Sequence, residues 1–328
     1  MRPQCMNDRP ILRTAAVALA LAFAAACSTT RRLASDEVLY TGVGKIRIEP
    51  DSGVTVSPAA ASAAREPLSV APNNPLYSPY VRTPLPIGLW AYNYLYTPRE
   101  KGFKYWFYKR LAKEPVLISK VQPSLRAKVA EQALENHGYF GSRAADTLLY
   151  RKRGRKARVS YRLRVAPPWH YEGIAYPTAG GALQPLLDSL RSTSLLREGA
   201  QYNLDTLTLE RRRMAQSLRE RGYYYFRPEY LEYQADTTLS PRGVALRLNL
   251  KSDAPAVALK PYRVGKVTVR LTDPKPGRPD TLRLRGAEVI AQRPMRIRPR
   301  LLSRALTLER GELFTVGAQD RTLTNPNK

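Results

Sequence analysis

Polar and apolar residues alternate along two stretches of this chain. Val159, Tyr161, Leu163 and Val165 alternate with Arg158, Ser160, Arg162 and Arg164, and Val244, Leu246, Leu248 and Leu250 alternate with Ala245, Arg247, Asn249 and Lys251. A period of two with one apolar face predicts strands lying on a core. A turn precedes each stretch, polar at 151–156 and Pro241-Arg242-Gly243 in the second, so each is the returning arm of a hairpin. Upstream, the spacing changes to three and four. Leu125, Val129 and Ala133 recur with Ala130 and Leu134 beside them, and Leu204, Leu207, Arg211, Met214 and Leu218 make an apolar stripe interrupted by a charge. Both patterns predict helices. Both end in one phrase, His137-Gly138-Tyr139-Phe140 and Arg221-Gly222-Tyr223-Tyr224. Gly138 and Gly222 are the expected left-handed helix stops, after which aromatics open a strand.

A second repeated phrase precedes the helices. Glu114-Pro115-Val116-Leu117-Ile118-Ser119, Glu198-Gly199-Ala200-Gln201-Tyr202-Asn203 and Arg310-Gly311-Glu312-Leu313-Phe314-Thr315 share a turn residue, an apolar residue and a capping type. Ser119, Asn203 and Thr315 are the expected helix N-caps, with Gln122 completing a capping box after Ser119. Pro115 to Gly138 and Gly199 to Gly222 both span 23 positions. Lone strands are expected at 38–48, 171–176 and 262–271. The unit is therefore strand, helix, helix, strand, strand: an α+β layer pair repeated in tandem. The expected boundaries are 38–168 with a flexible Ala/Ser/Pro-rich loop insertion at 51–86, then 169–256, then 257–328 with an Arg/Pro-rich insertion at 274–299. A stop matching Gly222 would fall at about position 334, by the same spacing. The last unit is thus expected to be incomplete, ending in its second helix with a lone strand that is not stable by itself.

The N-terminus reads differently. Arg2, Arg9 and Arg13 precede an apolar run of 12 residues at 15–26. About 20 are needed to span a bilayer, so residues 1–26 read as a secretory signal. Ala24-Ala25-Ala26 suit a signal peptidase cutting between Ala26 and Cys27, and Cys5 would leave with the signal. Cys27 is then the lone cysteine of an exported chain and the expected lipid attachment site, with 27–37 as a tether. Ser28 after it favours the outer membrane, with the chain facing the periplasm. The formal charge is +27. Such a balance suggests lipid head groups, a lipopolysaccharide leaflet or acidic clients as partners, or equally an arginine-rich chain with solvated faces. Export argues against nucleic acid, whose binding would need strong salt dependence and stacking platforms.

The order strand, helix, helix, strand, strand with a Gly-aromatic phrase resembles the POTRA domain, found in tandem in the BamA/TamA family of outer-membrane assembly factors. Cys27-Ser28-Thr29-Thr30, Leu39-Tyr40-Thr41-Gly42, Gly88-Leu89-Trp90, Lys101-Gly102-Phe103, Glu114-Pro115-Val116-Leu117-Ile118 and Gly222-Tyr223-Tyr224-Tyr225-Phe226 resemble its lipidated TamA-like subfamily, over about 27–324. The resemblance implies periplasmic POTRA domains followed by a transmembrane β-barrel. It implies unfolded β-barrel clients held by strand pairing, a TamB-like periplasm-spanning partner, and an acyl anchor in outer-membrane lipid. After Gly311 the sequence holds no alternating strands of barrel type. A stand-alone periplasmic adaptor lipoprotein without insertion activity is the alternative.

No reaction chemistry is legible. His137 and His170 are the two histidines, and with no free cysteine a metal site of common spacing is not expected. Gly42-Val43-Gly44-Lys45 lacks the spacing of a phosphate loop. No cofactor is implied, and the chain reads as a binding protein, not an enzyme. The aromatic-rich segment 85–111 places Phe103, Trp106, Phe107 and Leu111 on one helical face among Lys104, Lys109, Arg110 and Lys113. Its expected place is as a first helix packed on the sheet of its own unit; the other reading is a helix resting on a membrane.

Overall fold

The computed structural model describes residues 29–73, 86–98, 101–151, 153–272, 277–284, 286–292 and 298–324. The fold is α+β, with three small mixed sheets and covering helices. The chain divides into two compact units, 1–135 with 139–167, and 136–138 with 168–328.

In the first unit, strand β1 (Leu39–Pro50) pairs parallel with β3 (Lys156–Val165), which pairs antiparallel with β2 (Arg143–Arg151). The parallel pair requires a crossover, and helices supply it. They are α1 (Pro58–Arg65), α2 (Ile87–Tyr94), α3 (Phe103–Leu111), the single turn α4 (Ile118–Val121) and α5 (Pro123–Asn136). Val159, Tyr161, Leu163 and Val165 are all buried, as their alternation predicts. They pack with Tyr40, Ala60, Ala64, Leu68, Ala127, Ala130, Leu134 and Tyr139.

That core corrects three expectations. The segment at 51–73 is not a flexible loop, because α1 is the unit's first core helix. Ser57 caps it, its Oγ accepting from Ala60 N at 3.3 Å, and Pro58 holds the first helical position. Ala60 and Ala64 form its buried stripe, small enough for the helix to approach the sheet closely, and Leu68 is buried in the 3-10 turn that follows. On α5 the buried residues are Pro123, Ala127, Ala130 and Leu134, while Leu125 and Val129 are exposed. Two apolar stripes compete there, and the one with alanines allows the closer approach. Ser119 does not cap α5: it lies inside α4, and Gln122, at φ 50°, breaks the chain between α4 and α5. No capping box forms between them.

In the second unit, β4 (His170–Ala175) pairs parallel with β6 (Gly243–Leu250), and β5 (Leu231–Asp236) pairs antiparallel with β6. Helices α6 (Gln184–Arg191) and α7 (Leu204–Arg219) lie between β4 and β5 in sequence. Asn203 Oδ1 accepts from the amides of Asp205 and Thr206, at 2.8 and 3.4 Å. The charge buried in the α7 stripe is Glu210, not Arg211, and Leu204 is exposed.

Gly138 and Gly222 have φ of 86° and 95°. Tyr139 N donates to Leu134 O and Tyr223 N to Leu218 O, the closing bond of a Schellman stop. Tyr139 and Tyr223 are buried. The aromatics therefore do not open a strand; they anchor the stop in the core, and the strands begin at Arg143 and Leu231.

The third copy lies in the second unit and departs most from expectation. Strand β7 (Val267–Leu271) is not alone. It pairs parallel with β9 (Ala287–Ala291), itself antiparallel to β8 (Asp280–Leu284), and helices α8 (Pro299–Ala305) and α9 (Val316–Thr324) come after them. The stretch read as an Arg/Pro insertion thus supplies a hairpin. Its alternation buries Ala287, Val289 and Ala291, and Gly286, at φ 78°, turns it. Thr315 Oγ1 accepts from Ala318 N at the start of α9.

Candidate functional site

All three copies use the repeated phrase before the second helix in the same way. Its fourth residue bridges to the chain at or just before the first strand: Leu117 to Leu39, Gln201 to His170 and Leu313 to Arg263. Two amide bonds flank each bridge. Tyr40, Tyr171 and Val264 donate to Val116, Ala200 and Glu312, while Ile118, Tyr202 and Phe314 donate to Val38, Trp169 and Tyr262. The start of the first strand is therefore covered on its outer side.

This cover makes the two edges of the first sheet unequal. On β1 the bridge occupies the start, and register shifts between Tyr40 and Val43 and between Val43 and Ile46 bend the middle of the strand. Bulges of this kind spoil an edge for further pairing. On β2 the pairing with β3 runs without a shift from Arg143 to Arg151. Ala144 N points outward, to Glu131 Oε1 at 2.6 Å. By the alternation of an antiparallel ladder, the backbone groups of Asp146, Leu148 and Tyr150 point the same way. β2 is the long regular edge of the unit, nine residues against six in β5.

The solvent face of the same sheet is basic. Lys45 and Arg47 on β1, Arg158, Arg162 and Arg164 on β3, and Arg143 and Arg151 on β2 project from it. Glu49, 3.5 Å from Arg162, is the acid on that face. Gly44, Thr147 and Ser160 keep the middle low, leaving a shallow depression of ≈ 560 Å³. Arg47 stands directly beside Arg162 in the parallel register, a like-charge pair that costs stability. The equivalent depression on the second sheet, lined by Ala175, Ala235, Asp236, Ala245 and Arg247 among others, sets one arginine against one aspartate and has no basic excess. The basic face thus distinguishes one copy and is not a general property of the unit. The alternation of Arg with apolar residues on β3 signals it; its join to an open edge depends on a register that periodicity alone does not supply.

Ala26 and Cys27 lie outside the described residues. The tether at 27–37 is held from Thr29 onward. Arg155 Nη1 and Nη2 donate to the carbonyls of Ala34, Ser35, Thr30 and Leu33. Among the described residues, no group of three or more His, Cys, Asp or Glu could hold a metal ion, and no helix is long and apolar enough to cross a membrane.

No family profile matches this sequence, and no curated protein matches it. Among solved structures, the chain is similar to POTRA domains 3–5 of BamA from Haemophilus influenzae, at 9% identity and a TM-score of 0.41, over 90% of this chain and 88% of that one. It is also similar to POTRA domains 1–3 of the periplasmic domain of Omp85 from Anabaena, at 14% identity, TM-score 0.28, and 89% and 85% coverage. The N-terminal domain of Omp85 from Thermosynechococcus elongatus is similar at 11% identity, TM-score 0.26, and 90% and 86% coverage.

Proposed function

We propose that this chain is the periplasm-facing, lipid-anchored POTRA portion of an outer-membrane assembly factor of BamA/TamA type. Cys27 carries the acyl anchor. Extended segments of unfolded β-barrel clients add to β2 as a fourth strand, while a TamB-like partner docks on the same chain of domains. The observation that carries this reading is the regular β2 edge beside a face lined with basic side chains. Backbone hydrogen bonds to an edge give affinity without demanding a client sequence. The basic face would favour acidic segments and speed their encounter.

The test is photo-crosslinking in cells. A photoreactive residue at Leu149 or Tyr150 should capture outer-membrane β-barrel proteins during their assembly, and one at Leu239 on the second copy should capture far less. Equal capture at all three positions, or none at β2, removes the edge from the function. Normal barrel assembly in cells without the gene would favour an adaptor role.

A further inference from the structure

Helix α3 is an aromatic-rich helix of the first unit that stays at the surface. None of its residues is buried, with Phe103 77% and Trp106 56% exposed. The expected packing of its aromatic face on the unit's own sheet does not occur, since α1 holds the place of first core helix. The aromatic face is nonetheless ordered. Phe103 and Phe107 ring centroids are 4.6 Å apart, and Trp106 and Phe107 4.9 Å, both edge to face. Tyr108 turns the other way, toward α2 and its C-terminal end, 6.4 Å from Tyr92 and 5.6 Å from Tyr96. One side of α3 holds the helix in place, and the other presents Phe103 and Trp106 to solvent with Phe107 half-buried against them.

Charge and chain connection say what covers that face. Lys101, Lys104, Lys109, Arg110 and Lys113 surround it, and 101–113 contains no acid. The element that carries α3 is tied to the chain just after Cys27. Asn93 on α2 accepts from Arg32 N at 3.0 Å and donates to Thr29 O at 3.3 Å. The Arg32 guanidinium lies 3.6 Å from the Tyr96 ring centroid, and Lys113 N donates to Gly88 O. Thr29 is two positions along the chain from Cys27, a reach of at most about 7 Å.

We propose that α3 is an interfacial docking helix for an anionic bilayer. Phe103, Trp106 and Phe107 enter the boundary between head groups and acyl chains, and the flanking lysines and Arg110 meet lipid phosphates. The closeness of α3 to the bilayer rests on the acyl anchor proposed for Cys27; the aromatic face and its basic rim do not. A lipid on Cys27 and α3 then act as two attachments on one rigid element.

The test uses the full chain, reconstituted in vesicles of phosphatidylcholine with or without phosphatidylglycerol and with brominated acyl chains. The double substitution Trp90→Phe/Trp169→Phe leaves Trp106 as the fluorophore; Trp90→Phe/Trp106→Phe leaves Trp169 as the reference. Trp106 emission should shift to the blue and be quenched several-fold more than Trp169, more strongly with phosphatidylglycerol. Lys104→Gln and Lys109→Gln, far from the core, should each lower that partitioning about fivefold. The mass of the N-terminal peptide reads acylation of Cys27 separately, so an unacylated chain that still quenches at Trp106 fails the anchor and keeps the helix. Equal quenching of Trp106 and Trp169 overturns the proposal, whether or not Cys27 is acylated. A Trp106 shift that tracks protein dimerisation and ignores lipid also overturns it, because a second copy then covers the face.

Discussion

Glu210 and Arg213, three residues apart on α7, are joined by two hydrogen bonds of 2.7 Å, from Nε to Oε2 and from Nη2 to Oε1. The pair also fastens the end of α6 and the loop after it. Ser194 Oγ and Leu195 N donate to Glu210, while Arg213 donates to Thr193 Oγ1 and Leu190 O. Glu210 is fully buried, and the Arg213 side chain is 20% exposed. Removing one partner strands the other. Glu210→Gln should cost the second unit about 3 kcal/mol, read as a fall in its urea midpoint with the slope unchanged.

The same pair makes that unit acid-sensitive. Burial pushes the Glu210 carboxyl up, but the hydrogen bonds from Arg213, Leu195 and Ser194 outweigh it and hold the group below its usual range. A depressed folded value gives stability that is fully present above the unfolded value of about 4.3 and lost as pH falls through the folded one. Stability should therefore decline below about pH 5. Glu210→Gln should flatten that decline; an unchanged acid limb would assign it to other carboxylates.

Gly222 and Gly199 separate two costs of a left-handed residue. At φ 95°, a Cβ on Gly222 would sit 2.7 Å from Leu313 Cδ1; at φ 77°, one on Gly199 would meet nothing within 4 Å. Gly199→Ala should cost about 1 kcal/mol from backbone strain alone. Gly222→Ala should cost more, and the double substitution Gly222→Ala/Leu313→Ala less than the sum of its parts. Additive losses by thermal unfolding would show that the contact relaxes freely.

Ala64 tests the role of α1. It is fully buried against the sheet, so Ala64→Leu should destabilise the first unit by about 1–3 kcal/mol. The same change in a flexible loop would leave the melting temperature where it is.

Arg47 tests whether the basic face is kept at a cost. Arg47→Glu would replace a like-charge neighbour of Arg162 with an opposite one, and should raise stability by about 0.5 kcal/mol. It should at the same time weaken cross-linking of clients to Leu149. A variant that is more stable and equally good at capture would make these arginines ordinary solvated charges.

The legible parts of this fold are those where one pattern has one partner. Val159 to Val165 alternate against a single core face, and the apolar members are all buried; Gly138 and Gly222 stop their helices because only glycine takes those angles cheaply. Illegible parts are those where small residues carry the packing. Ala60 and Ala64 have little apolar surface, so 58–65 reads as a loop although Ser57 and Pro58 announce a helix. Conversely, the large side chains of α3 draw attention as core, yet face solvent. The β2 edge required knowing that β3 sits in the middle of its sheet, which sequence order does not say.

The bridge shared by the three copies has a consequence for how such a chain can lengthen. It clamps residue 40 to 116, 171 to 200, and 264 to 312, closing loops of very different size with the same few hydrogen bonds. The extra length in the first copy holds α2 and α3, and in the third it holds the β8–β9 hairpin. Closure entropy grows only with the logarithm of loop length, so the first loop costs about 0.9 kcal/mol more than the second. That is less than one buried leucine contributes. A new element can therefore enter between first strand and bridge at almost no thermodynamic penalty, provided it leaves the clamp alone.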